Sequence, residues 1–189
     1  ERPWWRDLVA LPPSFRAAAV AFGVFTLGNS TDAFLLLRLG EVGLAPGEVA
    51  LAWAGLHGVK VVAAWLGGGL SDRVGRRPVV LAGWAWYAAC YAGFAVLVHP
   101  VAFVAAFLAY GVYHGLTEPV EKAWVAEMAP AELRGAAFGV YHAVVGLAAL
   151  PASLLTGLLW RSIGPGAALG LGAGLAGLAS ALLLAVRPA

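Results

Sequence analysis

Five polar residues stand inside otherwise apolar stretches of this sequence. Asn29 and Asp32 lie in one stretch, and His114, Glu118 and Glu121 lie in another. Inside a membrane an ionisable side chain costs about 2.5–3.5 kcal/mol or more and is a candidate for function by default. Amides and carboxylates bind cations, and carboxylates and histidines exchange protons. The sequence therefore predicts that these five residues form an internal polar network whose members are candidates for binding a cation or exchanging protons.

Asp32 has two interpretations that the sequence leaves open. It can pair with Lys60 of the next apolar stretch and be neutralised, or it can be a protonatable or cation-binding site. Asn29 and Asp32 share a helical face by their spacing. Arg38 and Glu41, farther along the same stretch, are expected to form an exposed ion pair.

Glu118 is the stronger candidate for proton exchange in the second group. Glu121 and Lys122 are adjacent and point about 100° apart on a helix, so they pair poorly with each other. Lys122 can extend to the membrane surface, whereas Glu118 lies nearer the middle of its stretch. His114 can relay protons, although a histidine among aromatic residues is more commonly a packing or hydrogen-bonding residue.

The sequence has none of the motifs of the common soluble enzymes. Gly-x-Ser-x-Gly, His-Glu-x-x-His and the Walker phosphate loop do not occur. His114 and Glu118 have the spacing of metal ligands, but the segment offers no third ligand, so no metal site is predicted. We expect no cofactor and no enzymatic activity. The alternative from another class is an intramembrane enzyme or a small channel.

The composition places these polar groups in a membrane protein. Of 189 residues, 61% are hydrophobic and 12% are charged, against about 25% charged in soluble domains. The net charge is only +2 and the basic residues stand between apolar runs, which excludes a nucleic-acid partner of the ordinary type. A span needs about 20 apolar residues. The chain divides into six predicted spans, at 14–39, 47–70, 78–98, 101–127, 131–160 and 166–186.

Arginines between the spans predict the orientation, because cytoplasmic loops are enriched in Lys and Arg. One side carries only Arg38 and Arg161. The other side carries eight arginines: Arg2, Arg6, Arg16, Arg73, Arg76, Arg77, Arg134 and Arg187. Both termini are therefore predicted to be cytoplasmic, in agreement with an even number of spans.

The segment between the second and third spans carries a family resemblance. Residues 67–78 read Gly-Gly-Gly-Leu-Ser-Asp-Arg-Val-Gly-Arg-Arg-Pro, and this pattern resembles the signature loop of the major facilitator superfamily (MFS). The resemblance implies a conformational latch that holds one state closed on the cytoplasmic side. Its residues would be Gly68, Asp72, Arg73, Gly75, Arg76 and Arg77. Asp72 is expected to face a helix N-terminus.

Three further segments resemble the C-terminal half of bacterial MFS exporters. Residues 28–38 are similar to helix 7 of those exporters, and residues 115–122 and 133–141 are similar to helices 10 and 11. The resemblance implies residues 1–13 as the end of a cytoplasmic interdomain linker and residues 14–189 as an all-α bundle of six transmembrane helices. It also implies a 3+3 inverted repeat. The chain begins with Glu1 and not with Met, which suggests a piece of a longer protein.

The resemblance implies a secondary active transporter in a bacterial inner membrane. Such a protein moves a small molecule by alternating access, here by proton-coupled export (antiport), with the N-terminal six-helix half, the lipid bilayer and protons as partners. Acidic and amide groups in the cavity favour a cationic or amphipathic substrate. The alternative within the family is a half-size transporter that acts as a dimer.

Glycines spaced four residues apart predict packing surfaces, because small residues let membrane helices approach closely. They are Gly166, Gly170 and Gly174 on the last span and Gly135 and Gly139 on the fifth.

Overall fold

The computed structural model of the protein describes residue 7 and residues 9–186, with seven α-helices between Pro13 and Ala185. The expectations for Arg2, Arg6, Arg187 and most of the linker at 1–13 lie outside the described residues. The described part contains no strand. The helices are α1 (Pro13–Gly28), α2 (Ala33–Glu41), α3 (Pro46–Val74), α4 (Arg76–Val96), α5 (Pro100–Met128), α6 (Arg134–Ser162) and α7 (Pro165–Ala185), with a 3₁₀ turn at Ala131–Leu133.

These helices form six segments that are long enough and apolar enough to cross a membrane. Each segment has 21 to 32 residues, and α1 and α2 together make up the first. Proline begins four of the helices, at Pro13, Pro46, Pro100 and Pro165, where the missing N–H has no partner to lose. At the start of α3, Glu48 also accepts a hydrogen bond from the backbone N–H of Ala45 at 2.8 Å. The predicted all-α fold with six spans is confirmed.

The packing of the helices follows an inverted repeat. α3 packs against α5 and α6 against α1, while α4 packs against α5 and α7 against α1. α4 and α7 also pack against each other. Exchanging the first three spans for the last three maps the first four contacts onto one another in pairs and the α4–α7 contact onto itself. This is the pattern that a 3+3 repeat requires.

The structure differs from the predicted spans in two details, although the first span has nearly its predicted bounds, at Pro13–Glu41. The first span, predicted as one helix, is interrupted after Gly28 and resumes at Ala33. The second span, predicted to end at Leu70, continues to Val74, so the basic segment is mostly helical and only Gly75 separates α3 from α4. Gly75 has φ +92°, a conformation that side chains with a Cβ rarely adopt, which explains the glycine at this turn.

Aromatic side chains fill the centre of the bundle. Trp84, Tyr87 and Tyr91 of α4 and Tyr110 of α5 are fully buried. Phe25 stacks on Trp84 with ring centroids 4.5 Å apart, and such pairs contribute about 0.5–1.5 kcal/mol beyond burial. Lipid tails are as apolar as these side chains, so packing and hydrogen bonds between helices, and not exclusion of water, stabilise the bundle.

Glycines mark the closest helix crossings, but only some are those predicted from the four-residue spacing. A Cβ at Gly67 of α3 would lie 2.5 Å from the carbonyl oxygen of Gly115 of α5. Gly166 does approach α4, with a Cβ position 2.8 Å from the Ala95 carbonyl oxygen. Gly135, Gly139 and Gly174 have no neighbour within 4 Å of a Cβ position among the described residues, so the packing predicted for them is not found within this part of the chain.

Candidate functional site

The interruption of the first span creates the polar centre of the molecule. Residues 29–32 are Asn, Ser, Thr and Asp, whose side chains compete with the backbone for hydrogen bonds and weaken a helix. Asn29 has φ −98° and ψ +81°, outside the helical region. The Tyr87 hydroxyl donates to the Gly28 carbonyl at 2.8 Å, which satisfies one backbone group at the end of α1. The single helical face predicted for Asn29 and Asp32 therefore does not exist.

Asp32, at the start of α2, connects three helices. Its Oδ2 lies 3.3 Å from the Lys60 Nζ of α3, and its Oδ1 accepts a hydrogen bond from the Tyr110 hydroxyl of α5 at 2.8 Å. The Nε2 of His114 lies 3.8 Å from Oδ2. Side-chain exposure is 18% for Asp32, 20% for Lys60 and 13% for His114. A partly buried ion pair of this kind is stable only when further hydrogen bonds complete it, as Tyr110 does here.

Asn29 and Trp53 complete this cluster. The Nδ2 of Asn29 donates to the Tyr113 hydroxyl of α5 at 2.9 Å. The ammonium of Lys60 lies 5.6 Å from the ring centroid of Trp53, within the range of a cation–π interaction. Three of the five predicted cavity residues, Asn29, Asp32 and His114, are therefore brought together.

Glu121 lies in a different place, between α4, α5 and α6. Its carboxyl group accepts hydrogen bonds from the Trp84 indole N–H and from the Tyr141 hydroxyl, both at 2.9 Å. The residue is only 8% exposed. Both oxygens are engaged by the protein, so this carboxyl group joins three helices and is not open to a substrate in this conformation.

Glu118 is exposed on α5, one turn before Glu121. The described residues supply no ion pair or hydrogen bond to its side chain. Pro119 follows it inside the helix and provides no N–H for the carbonyl of Gly115. Glu118 is thus the freely accessible carboxylate among the five predicted residues. Lys122 is exposed, as expected for a side chain that reaches the membrane surface.

The basic segment ties the ends of three helices together. Arg76 Nε lies 2.7 Å from Glu127 Oε1 at the end of α5. Arg77 Nη2 donates to the carbonyls of Leu183 and Leu184 at 2.9 Å, at the end of α7. Asp72 and Arg73 are exposed in the last turn of α3, and Gly68 lies one turn earlier.

The comparison with known families decides the identity. The family model of the Major Facilitator Superfamily matches residues 14–189. The chain belongs to the major facilitator superfamily. It is also 30% identical, over 157 residues, to an uncharacterized MFS-type transporter of Methanocaldococcus jannaschii. That match covers 80% of this chain but 39% of the relative, so the chain spans about two fifths of the length of the curated relative.

For a domain of this superfamily, the chemistry available in the described residues is that of charge and proton exchange. The cluster around Asp32 offers a carboxylate with an ammonium and an imidazole each within 4 Å of it. The expected outer ion pair is confirmed, with Arg38 Nη1 and Glu41 Oε2 3.0 Å apart. No group of three or more potential metal ligands occurs within the described residues.

Sequence reasoning missed the hydrogen-bond donors that hold the carboxyl groups. Trp84, Tyr110 and Tyr141 all belong to this class, and nothing in the sequence neighbourhoods of Trp84 and Tyr141 marks those two residues. One signal was present for Tyr110, because it stands four residues before His114 and therefore shares a helical face with it.

Proposed function

We propose that this chain is the C-terminal half of a secondary active transporter that moves a small molecule by alternating access. Membership of the superfamily supports a transporter in the lipid bilayer, and the exposure of two spans supports a partner half. The most apolar stretches of α3 and α6 are only 17% and 11% buried, against 33–39% in the other four spans. An N-terminal six-helix half packed on α3 and α6 would cover these faces.

The orientation proposed is with both termini in the cytoplasm of a bacterial inner membrane. Arg76, Arg77 and Arg134 all contact the ends of helices at one end of the bundle. Arg38 contacts Glu41 at the other end of the first span. This asymmetry supports the positive-inside orientation. In the same view, the segment 68–77 acts as a latch at the cytoplasmic end.

Transport is proposed to be proton-coupled export, in which protons enter as the substrate leaves. The observation that carries this proposal is the pairing of Asp32 with Lys60 inside the membrane, beside the Nε2 of His114, which has no hydrogen-bond partner among the described residues. Such groups are expensive in a membrane and commonly serve proton or ion pathways. Glu118, exposed and unpaired among the described residues, is the second proposed proton site.

Proteoliposomes of the full-length protein with an imposed pH gradient test proton coupling. We expect the gradient to drive movement of at least one probe from a set of cationic, neutral and anionic amphipathic dyes. Asp32→Asn and Glu118→Gln should slow that movement by about tenfold or more, as expected when about 1.4 kcal/mol or more of coupling is lost. Glu41→Gln, in the outer ion pair, is the matched control. Unchanged movement in both Asp32→Asn and Glu118→Gln would contradict proton coupling at these sites.

A half-size transporter that acts as a dimer is the second candidate, because a second copy could also cover the exposed faces of α3 and α6. Light scattering of the purified full-length protein distinguishes the two. A monomer with two six-helix halves supports the first proposal, and a dimer of six-helix chains supports the second.

A further inference from the structure

The ammonium group of Lys60 shows what kind of ligand the Asp32 cluster accepts. The Oδ2 of Asp32 lies 3.3 Å from its Nζ, and the centroid of the Trp53 ring lies 5.6 Å from the same Nζ. A carboxylate beside an aromatic face is the pair of groups that binds an organic cation. Lys60 therefore fills, with its own side chain, a site with the chemistry of an alkylammonium receptor.

Lys60 leaves one acceptor in this site unused. The Nε2 of His114 is buried, has no hydrogen-bond partner among the described residues, and lies 3.8 Å from the same Asp32 oxygen. With its proton on Nδ1, neutral histidine presents Nε2 as an acceptor. An unsatisfied buried polar atom costs about 1–3 kcal/mol, which a ligand N–H would recover. A free ammonium has three N–H groups and can donate to Asp32 and to His114 together.

We propose that Asp32, His114 and Trp53 bind a primary or secondary ammonium group of the substrate, and that Lys60 is an internal competitor that occupies this site in the present conformation. The proposal rests on the transporter function proposed above, and it names the substrate class of the same site. It also sets a selectivity. Quaternary ammonium compounds have no N–H for His114 and should bind more weakly than primary amines of equal length.

Charge balance links substrate binding to proton movement. With Lys60 on Asp32 and His114 neutral, the cluster has no net charge. A bound substrate ammonium adds one positive charge, and loss of one proton from the displaced Lys60 to water restores neutrality. Lys60 is 20% exposed, so water can reach it. One substrate cation thus exchanges for one proton, which is the stoichiometry of an electroneutral antiport.

Protons compete with the substrate at the same atoms. Protonation of Asp32 removes the carboxylate charge, and protonation of His114 converts its acceptor to a donor. The other titratable or charged groups near Asp32 come from each helix packed around it. They are Lys60 and His57 on α3, Tyr87 and Tyr91 on α4, and Tyr110 on α5, whereas Arg38 and Glu41 pair with each other farther along α2. Because Asp32 and His114 are the acceptors that the ammonium needs, acid should weaken binding.

Equilibrium binding of hexylammonium and hexyltrimethylammonium to the full-length protein in lipid nanodiscs tests the proposal. At about pH 8, where the primary amine is still charged, hexylammonium should bind more tightly. Lys60→Met should tighten its binding about fivefold or more, because removal of a competitor raises the fraction of protein able to bind. Calorimetry in buffers of different ionisation enthalpy should show about one proton released by the wild type and none by Lys60→Met.

Two further variants separate the proposal from a purely structural ion pair. Asp32→Asn should lose hexylammonium binding, and His114→Leu, which keeps Lys60, should lose the preference for the primary amine. Arg38→Met, in the outer pair, is the control and should leave both affinities unchanged. Thermal unfolding of each variant identifies any variant that fails to fold. If Lys60→Met does not fold, the preference of the wild type for the primary amine, and its loss in His114→Leu, still test the ammonium site.

Three results would overturn the proposal: weaker or unchanged binding in a folded Lys60→Met variant, no preference between the two cations, or binding of hexanoate that depends on Lys60. The last result would make Lys60 the receptor of an anionic substrate. Binding without gradient-driven transport would instead sink the proposed function and leave the ammonium site standing. Gradient-driven transport without ammonium binding would contradict the ammonium site and leave the proposed transport function standing.

Discussion

Tyrosine hydroxyls satisfy the polar groups that the break in the first span leaves open. Tyr87 donates to the carbonyl of Gly28, and Tyr110 donates to the carboxylate of Asp32. Tyr91, one turn after Tyr87 and stacked on it at 4.1 Å, is as deeply buried but has no partner for its hydroxyl among the described residues. The two stacked rings are therefore similarly buried but differ in the hydrogen bonding of their hydroxyls.

Tyr87→Phe and Tyr91→Phe form a matched pair at the residue scale. Tyr87→Phe leaves the Gly28 carbonyl unsatisfied and should lower the free energy of unfolding by about 1–3 kcal/mol. Tyr91→Phe removes a hydroxyl that has no partner and should change stability by less than about 0.5 kcal/mol in either direction. Thermal unfolding in detergent measures both. Equal losses in the two variants would show that the Tyr87 bond has no special role.

Residue chemistry was partly predictable from the sequence. Asp32 and Lys60 could be named as possible partners because each is a charge in an apolar stretch and the two stretches are neighbours. The separation of Glu121 from that cluster could not be predicted. Its partners Trp84 and Tyr141 lie 37 and 20 residues away, and their meeting depends on how α4, α5 and α6 are rotated, which local sequence does not determine.

At the scale of elements, a helix crossing at glycine determines how closely α3 and α5 approach each other. Gly67 faces the backbone at Gly115, whereas Gly69, two residues later on α3, faces open space. The crossing lies on the same two helices that supply Lys60 and His114. The distance between α3 and α5 therefore also determines the width of the Asp32 cluster.

Gly67→Ala and Gly69→Ala test this crossing. Gly67→Ala pushes a methyl group against the backbone of α5 and should destabilise the bundle by about 1–3 kcal/mol. Gly69→Ala meets no neighbour and should be neutral or stabilising by up to about 1 kcal/mol, because alanine favours the helix. Denaturation in mixed micelles gives both values. Equal stability of the two variants would mean that α3 and α5 can separate at no cost.

The existence of the elements was more predictable than their interruptions. Long apolar stretches bounded by Pro46, Pro100 and Pro165 identify helices at once, because span length and proline positions are local properties. The break at 29–32 is stabilised by hydrogen bonds with the hydroxyls of Tyr87, Tyr110 and Tyr113, which come from α4 and α5. These partners are distant in sequence, so the break was harder to predict. The spacing of Gly135, Gly139 and Gly174 did not predict their neighbours for the same reason. Spacing shows which residues share a helical face but not which element packs against that face.

At the scale of the whole protein, the face formed by α4 and α7 differs from the face formed by α3 and α6 in how much of it the chain itself covers. α4 and α7 pack against each other, whereas α3 and α6 have few buried residues. Large side chains are exposed on both sides, with Leu147 on α6 77% exposed and Leu184 on α7 64% exposed. If a second half covers α3 and α6, these two leucines have different surroundings in the complete transporter although their exposure here is similar.

Spin labels at residues 147 and 184 test that difference in the full-length protein in lipid bilayers. Leu147→Cys should be shielded from oxygen dissolved in the lipid, and its label should be immobilised, because the partner half excludes lipid from the α6 face. Leu184→Cys, the matched control, should remain accessible and mobile. Cys90 is buried and is the one cysteine of these 189 residues, so Cys90→Ser, together with serine at any cysteine elsewhere in the full-length protein, gives a background without a competing thiol. A label at 147 that is as accessible as the one at 184 would show that lipid covers α6, and both the two-half transporter and the half-size dimer that packs on this face would then be wrong.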